Sequence, residues 1–192
     1  MRVMTWNLQG RVGQWEARHH AIEKVLHDAQ PDVVMLQESW VEPDGKAQAH
    51  VLAERLGLFA VTAFELAGFD RYPQAPYWVV NAILTRWPSQ ILRAVPLNDE
   101  NGVSTWRHVL IASVNRSDEN GGPFVAAGTH LEHGLERTLT RSAQMAHLLA
   151  EVSNAISPSG SWREELPALV AGDFNAVPWS DEIRQATGAS TP

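Results

Sequence analysis

An α+β fold, with helices laid over sheets, is what this sequence predicts, and three features carry the expectation. Short runs without a polar residue, Val33-Val34-Met35-Leu36 and Leu166-Pro167-Ala168-Leu169-Val170-Ala171, have the length and composition of buried strands. Longer stretches repeat apolar residues at helical spacing. Between them lies a block of β-rich runs cut by turn residues. The chain of 192 residues is long enough for one domain with a sizeable core and short for two, so residues 1–192 read as a single domain. With 44% hydrophobic and 19% charged residues, the composition is that of a globular chain and not of a disordered one.

The elements follow in order. Arg2 to Trp6 is the first strand. Glu16 to Ala29 is a helix whose apolar face would be Ala17, Ala21, Ile22, Val25 and Leu26, and Pro31 ends it. Val33 to Leu36 is the second strand, and Lys46 to Leu56 a helix with Val51, Leu52 and Leu56 turned inward. Phe59–Phe64, Trp78–Thr85, Gln90–Val95, Arg107–Val114 and Phe124–Thr129 read as antiparallel strands, separated by turn-rich segments such as Asp118-Glu119-Asn120-Gly121-Gly122. Glu136 to Ile156 is the longest helix, with Leu139, Ala143, Ala146, Leu149 and Val152 as its expected inner face. Ser157 to Ser161 is a loop before the last apolar run.

Composition excludes several chemistries. There are no cysteines, so disulfides and thiolate zinc sites are out, and any metal must be held by oxygen or imidazole. A net charge of −7 argues against a protein that coats nucleic acid with a broad basic surface. A nuclease stays open, because a bound divalent cation supplies local positive charge. No apolar run reaches membrane-spanning length. The N-terminus reads as a strand from its start, without the charged lead and apolar stretch of a secretion signal, and the expected location is the cytoplasm.

Chemistry gathers at strand ends. Behind the last apolar run comes Gly172-Asp173-Phe174-Asn175, where alternation puts Asp173 and Asn175 on one side and turns Phe174 into apolar packing. Asp173 can take a proton from water or orient a metal-bound one, and the Asn175 amide can donate to a phosphoryl oxygen without adding charge. The first strand ends in Asn7, the second in Gln37-Glu38, and the Phe124 strand in Thr129-His130. Taken singly, each has an ordinary reading: Asp, Asn and Glu are common at turns and solvated ends, and a lone strand-end His is usually structural. Their recurrence at four strand ends points to a site, since parallel strands of an α/β sheet open their carboxyl ends onto one crevice. Glu38 and Asn7 offer hard oxygen ligands suited to Mg²⁺ or Mn²⁺, and His130 can hydrogen-bond a phosphoryl oxygen. Arg107 is a candidate contact for a substrate phosphate, against the commoner case of an exposed strand arginine.

Trp6-Asn7, Leu36-Gln37-Glu38, Asn81-Ala82-Ile83-Leu84-Thr85-Arg86, Thr129-His130-Leu131 and Gly172-Asp173-Phe174-Asn175-Ala176 occur in an order that resembles the endonuclease/exonuclease/phosphatase superfamily. Trp15 to Arg18, Pro31-Asp32, Arg141 and Gln144 agree with it. The resemblance implies a deoxyribonuclease-like four-layer α/β/β/α sandwich with two mixed sheets, and metal-dependent hydrolysis of a phosphoester by direct attack of water. It implies that Glu38 binds Mg²⁺, that Asn7 helps bind metal or phosphate, that Asp173 orients or activates water, and that Asn175 and His130 stabilise the transition state.

The chain departs from the family pattern after Asn175. Relatives continue with a strand pair and a Ser-Asp-His motif, whereas residues 176–192 contain no His, so the sandwich is expected to be C-terminally incomplete. Three explanations follow: a fragment, a chain that borrows strands by self-association, or a non-catalytic binding module. His133, expected in the loop after the Thr129 strand, and His108, beside Arg107, are candidates for partial substitution. Val80 stands where relatives commonly carry Gly. The acidic charge favours a small phosphodiester or a lipid or sugar phosphate over duplex DNA, with nucleic-acid substrates still open.

Overall fold

The structure is a computed structural model that describes residues 1–65, 77–118, 121–157 and 165–188. The element order is β1 (Val3–Asn7), α1 (Trp15–Ala29), β2 (Val33–Val41), α2 (Gln48–Leu56), β3 (Phe59–Thr62), β4 (Trp78–Thr85), β5 (Ser89–Asn98), β6 (Ser104–Val114), β7 (Phe124–His130), α3 (Thr138–Ile156), β8 (Ala168–Asp173) and α4 (Asp181–Thr187). The strands form two sheets of order β1-β2-β4-β3 and β5-β6-β7-β8. Each is mixed. β1 pairs parallel with β2, and β7 with β8, while the remaining pairs are antiparallel.

Three apolar layers hold the sheets and helices together. Met35 and Ile83 of one sheet meet Leu110, Ala112 and Ala126 of the other in a core between the sheets. Ile22, Leu26 and Leu52 pack the first two helices on Val34, Leu36 and Leu84. Met145, Leu148 and Val152 of α3 cover Val109, Ile111, Val125 and Ala127. Successive residues of β6 therefore serve opposite layers, Leu110 inward and Ile111 outward, as the two-residue period of a strand requires. The result is the expected α/β/β/α sandwich.

Several details differ from the sequence expectation. In α1 the buried residues are His19, Ile22 and Leu26, while Ala17, Ala21 and Val25 face outward. His19 turns in because its ring packs beside Trp40 and its Nδ1 lies 3.3 Å from Gln48 Nε2. In α3 the buried stripe is Thr140, Arg141, Gln144, Met145, Leu148, Val152 and Ala155, whereas Leu139 is 72% exposed. Polar residues hold that face because each has a partner there, an arrangement that apolar periodicity cannot register. Phe64 lies in a 3-10 turn, Ala63–Glu65, beyond the end of β3, and α4 had no expectation at all. β8, expected to be buried, is an edge strand whose residues Leu169–Asp173 are half-buried. The expected turn 118–122 and loop 157–161 lie partly outside the described residues.

Candidate active site

Each candidate side chain is set in place by a local backbone device. Asn7 closes β1, and the loop behind it is pinned by Arg18 of α1, which donates to the carbonyls of Leu8, Gly10 and Val12 at 2.9–3.1 Å. Glu38 sits in a β-bulge: β2 pairs with β4 through Leu36↔Ala82 and again through Ser39↔Val80, so Gln37 and Glu38 together stand opposite Asn81. Glu38 has φ +51°, a left-handed conformation costly for a side-chain-bearing residue, and it swings the carboxylate away from where plain alternation would leave it. His130 and Asp173 are a register pair at the ends of the parallel strands β7 and β8. Their separation depends on Gly172, since a Cβ there would lie 2.2 Å from Thr129 O. Asn175, with φ +48°, turns the chain back so that its backbone N–H donates to Asp173 Oδ1 at 3.1 Å and its side-chain Nδ2 to Leu131 O at 3.0 Å.

The two sheets meet at these ends. Asn7 Nδ2 lies 3.0 Å from Glu38 Oε1 and 3.0 Å from Asp173 Oδ2, so one amide joins carboxylates from opposite sheets. His130 lies between them, with Nδ1 3.8 Å from Glu38 Oε1 and Nε2 3.7 Å from Asp173 Oδ2. Burial pushes the His130 pKa down to about 4, the Arg107 guanidinium pushes the same way, and Asp173 opposes both. At neutral pH His130 is therefore a neutral hydrogen-bonding imidazole rather than a cation. The five residues that the sequence placed at strand ends come together, but through two parallel pairs in different sheets and not through one sheet.

Arg107 is 3% exposed, unlike an ordinary surface strand arginine, and lines the cleft together with Glu38, Asn81, Trp106, His108 and His130. His108 is buried and structural: its Nε2 accepts from the Asn81 backbone N–H at 3.3 Å, while Asn81 Nδ2 donates to His108 O at 2.9 Å, tying the sheets together behind the site. His133 lies in the loop after β7, 71% exposed in its side chain, with Nδ1 3.1 Å from Arg107 Nη2 and 2.9 Å from Glu132 Oε1. Arg141 holds that loop from behind, donating to Gly134 O at 2.5 Å and pairing at 2.6 Å with the buried Glu182 of α4. Sequence reasoning quoted Asn81 only as part of a motif and passed over Trp106 and Glu182. The signal for Asn81 was present, a polar side chain inside the apolar run of β4, which demands a partner.

The donors suit a hard cation. Two carboxylates share one amide and one neutral imidazole, leaving net negative charge at the mouth of the site. Among the described residues no three His, Asp or Glu side chains form a group that could hold a metal ion, and Glu38 and Asn7 are the neighbouring oxygen-bearing side chains that could contribute to one.

The four-layer sandwich thus brings acidic, amide and imidazole side chains together at the strand ends of both sheets. Residues 4–190 match the model of the endonuclease/exonuclease/phosphatase family, and the chain belongs to that family. A relative from Danio rerio, protein angel homolog 2, is 37% identical over 94 residues, a match that takes in 48% of this chain and 15% of that protein. The chain thus spans a small part of that relative's length. Among solved structures, the human Nocturnin catalytic domain with a bound sulfate anion has a TM-score of 0.76 at 23% identity, over 100% of this chain and 77% of the other. ANGEL2, described as a 2',3'-cyclic phosphatase and solved with adenosine-2',3'-vanadate, has a TM-score of 0.68 at 20% identity, over 97% of this chain and 56% of the other.

Proposed function

We propose that this chain hydrolyses a phosphoester by direct attack of water on phosphorus, with Mg²⁺, or Mn²⁺ in its place, held through Glu38 and Asn7. The observation that supports this reading is that Asn7 and His130 each place side-chain nitrogen within 4 Å of both Glu38 and Asp173, joining side chains from both sheets. When bound, the cation supplies Lewis acidity and charge for the phosphoryl oxygens. Asp173, its two oxygens oriented by Asn7 and by the Asn175 backbone N–H, positions the attacking water and accepts its proton. The second N–H of the Asn175 amide, beyond the one bonded to Leu131 O, donates to a phosphoryl oxygen. His130 does likewise as a neutral donor, and Arg107 neutralises substrate phosphate from the cleft wall. The description of ANGEL2 as a phosphatase agrees with this class of reaction.

The substrates that fit are small phosphodiesters, lipid or sugar phosphates, or a nucleic-acid end, and the reading places the protein in the cytoplasm. Among the described residues no helix is long and apolar enough to cross a membrane. The test is hydrolysis of an aryl phosphodiester with Mg²⁺, compared with EDTA and with Asp173→Ala and Glu38→Ala. Turnover that survives both variants, or no turnover across a phosphoester panel, would sink the enzymatic reading. A second reading, a non-catalytic module that associates with another copy, draws on the half-buried edge strand β8, whose outer edge pairs with no strand among the described residues and can accept one. Light scattering that finds only monomer counts against it.

A further inference from the structure

We propose that Gln144 is a positioning residue for Arg107, its buried amide fixing the segment and the loop that together aim the guanidinium at substrate phosphate; this rests on the phosphoesterase reading above. β6 pairs with β5 through Pro96↔His108 and again through Asn98↔Ser104, so Thr105, Trp106 and Arg107 together stand opposite Leu97. On its other side β6 pairs with β7 only from Val109↔Thr129 onward. Among the described residues, these three therefore have no register partner in either neighbouring strand. Regular strand pairing does not set where Arg107 lies, and that task falls to side-chain hydrogen bonds.

Gln144 stands at the centre of those bonds. It is fully buried on α3, where Nε2 donates to Thr105 Oγ1 at 3.2 Å and Oε1 accepts from the Glu132 backbone N–H at 2.9 Å. Thr105 Oγ1 in turn donates to Leu97 O at 2.6 Å and accepts from the Arg107 backbone N–H at 3.2 Å, which occupies its one proton and both lone pairs. Glu132 precedes His133, whose Nδ1 accepts from Arg107 Nη2 at 3.1 Å. Gln144 thus reaches Arg107 from both ends, at the backbone through Thr105 and at the guanidinium through the loop. A buried glutamine with both ends satisfied is ordinarily a piece of packing. This one joins two stretches of backbone that share no register pair among the described residues, and the arginine that both of them hold lines the cleft with Glu38 and His130. Loss of either bond leaves a buried amide atom unpaired, so the clamp holds as a unit.

The experiment measures equilibrium binding of inorganic phosphate with Mg²⁺ present by calorimetry, alongside kcat and KM for an aryl phosphodiester. The proteins are wild type, Gln144→Met, Thr105→Val and Thr105→Ser, each also combined with Arg107→Met. Thr105→Val removes the hydroxyl with little change in shape, so it reads the link even where Gln144→Met fails to fold. The expected result is phosphate binding weakened roughly five- to fifty-fold by Gln144→Met and by Thr105→Val, with KM raised in step and kcat changed less. Thr105→Ser should stay near wild type, and neither of the other substitutions should cause further loss once Arg107→Met is present. Unchanged phosphate affinity in Thr105→Val, or an equal loss in the Arg107→Met background, overturns the inference and leaves Gln144 a packing residue. So does a wild type that binds no phosphate, or one that binds it as tightly after Arg107→Met. Absence of turnover with phosphate binding as expected upholds the positioning and strikes the phosphoesterase reading alone.

Discussion

Asn7 Nδ2 donates to Asp173 Oδ2 at 3.0 Å, and this hydrogen bond bridges the edge strands β1 and β8 of two different sheets. The same nitrogen donates to Glu38 Oε1, so Asn7 keeps two carboxylates from facing each other without a donor. Asn7→Ala removes both bonds. The expected cost is about 1–3 kcal/mol of stability without divalent cation, part of it regained on adding Mg²⁺, read from thermal melts with and without the metal. An unchanged melt would mean that the bridge is idle.

Asp173 and Glu38 are assigned different tasks and should fail differently. Asp173→Asn keeps the shape but only one of the two oxygens that accept from Asn7 Nδ2 and the Asn175 N–H, and it loses the proposed proton acceptor, so kcat should fall by about 10²–10⁴ with little change in the Mg²⁺ required. Glu38→Gln should raise the Mg²⁺ concentration needed for half-maximal activity. Metal titrations of initial rate on both variants separate the two roles.

Gly172→Ala should damage the protein out of proportion to its size. The new Cβ would meet Thr129 O at 2.2 Å and Thr129 C at 2.9 Å, which are backbone atoms that cannot rotate away. β8 must then move from β7, taking Asp173 with it. A destabilisation of about 1–3 kcal/mol is expected, together with loss of turnover in the protein that remains folded, measured by urea unfolding and by activity per folded molecule.

Acid should unfold the protein through its buried histidines. Burial pushes the His108 pKa from 6.5 down to about 4, and its Nε2 already accepts a hydrogen bond from Asn81. The unfolded chain therefore binds that proton more readily between pH 6.5 and 4. The stability contribution is present above pH 6.5 and is lost as pH falls toward 4, by roughly 3 kcal/mol for this group. His130 shifts in the same direction, so both act together. His108→Gln should flatten the dependence to the part owed to His130, as read from denaturant midpoints at pH 7 and 4.5.

Much of this arrangement was legible in the amino-acid order. β4 begins and ends at Trp78 and Thr85 as its apolar run and flanking residues indicate, and Phe174 packs with the α3 layer as alternation requires. Asn7, Glu38, His130 and Asp173 stood out because each closes an apolar run with a group able to bind metal or hydrogen-bond. The helix faces were less legible. Periodicity in α3 marks Leu139, yet Leu139 is exposed, while Arg141 and Gln144 are buried through Glu182 and Thr105.

By itself, then, the sequence determined the layered α+β architecture and the identities of the groups at the strand ends, because those follow from local periodicity and residue chemistry, while the order of its motifs carried the resemblance to the family. Only the tertiary structure decided that the site bridges two sheets, that a bulge at φ +51° aims Glu38, and that β8 lies at an edge. It also decided that Arg107 is drawn into the cleft beneath Trp106. These are relations between residues far apart in the chain, and they depend on which buried polar group finds which partner once the sheets have packed.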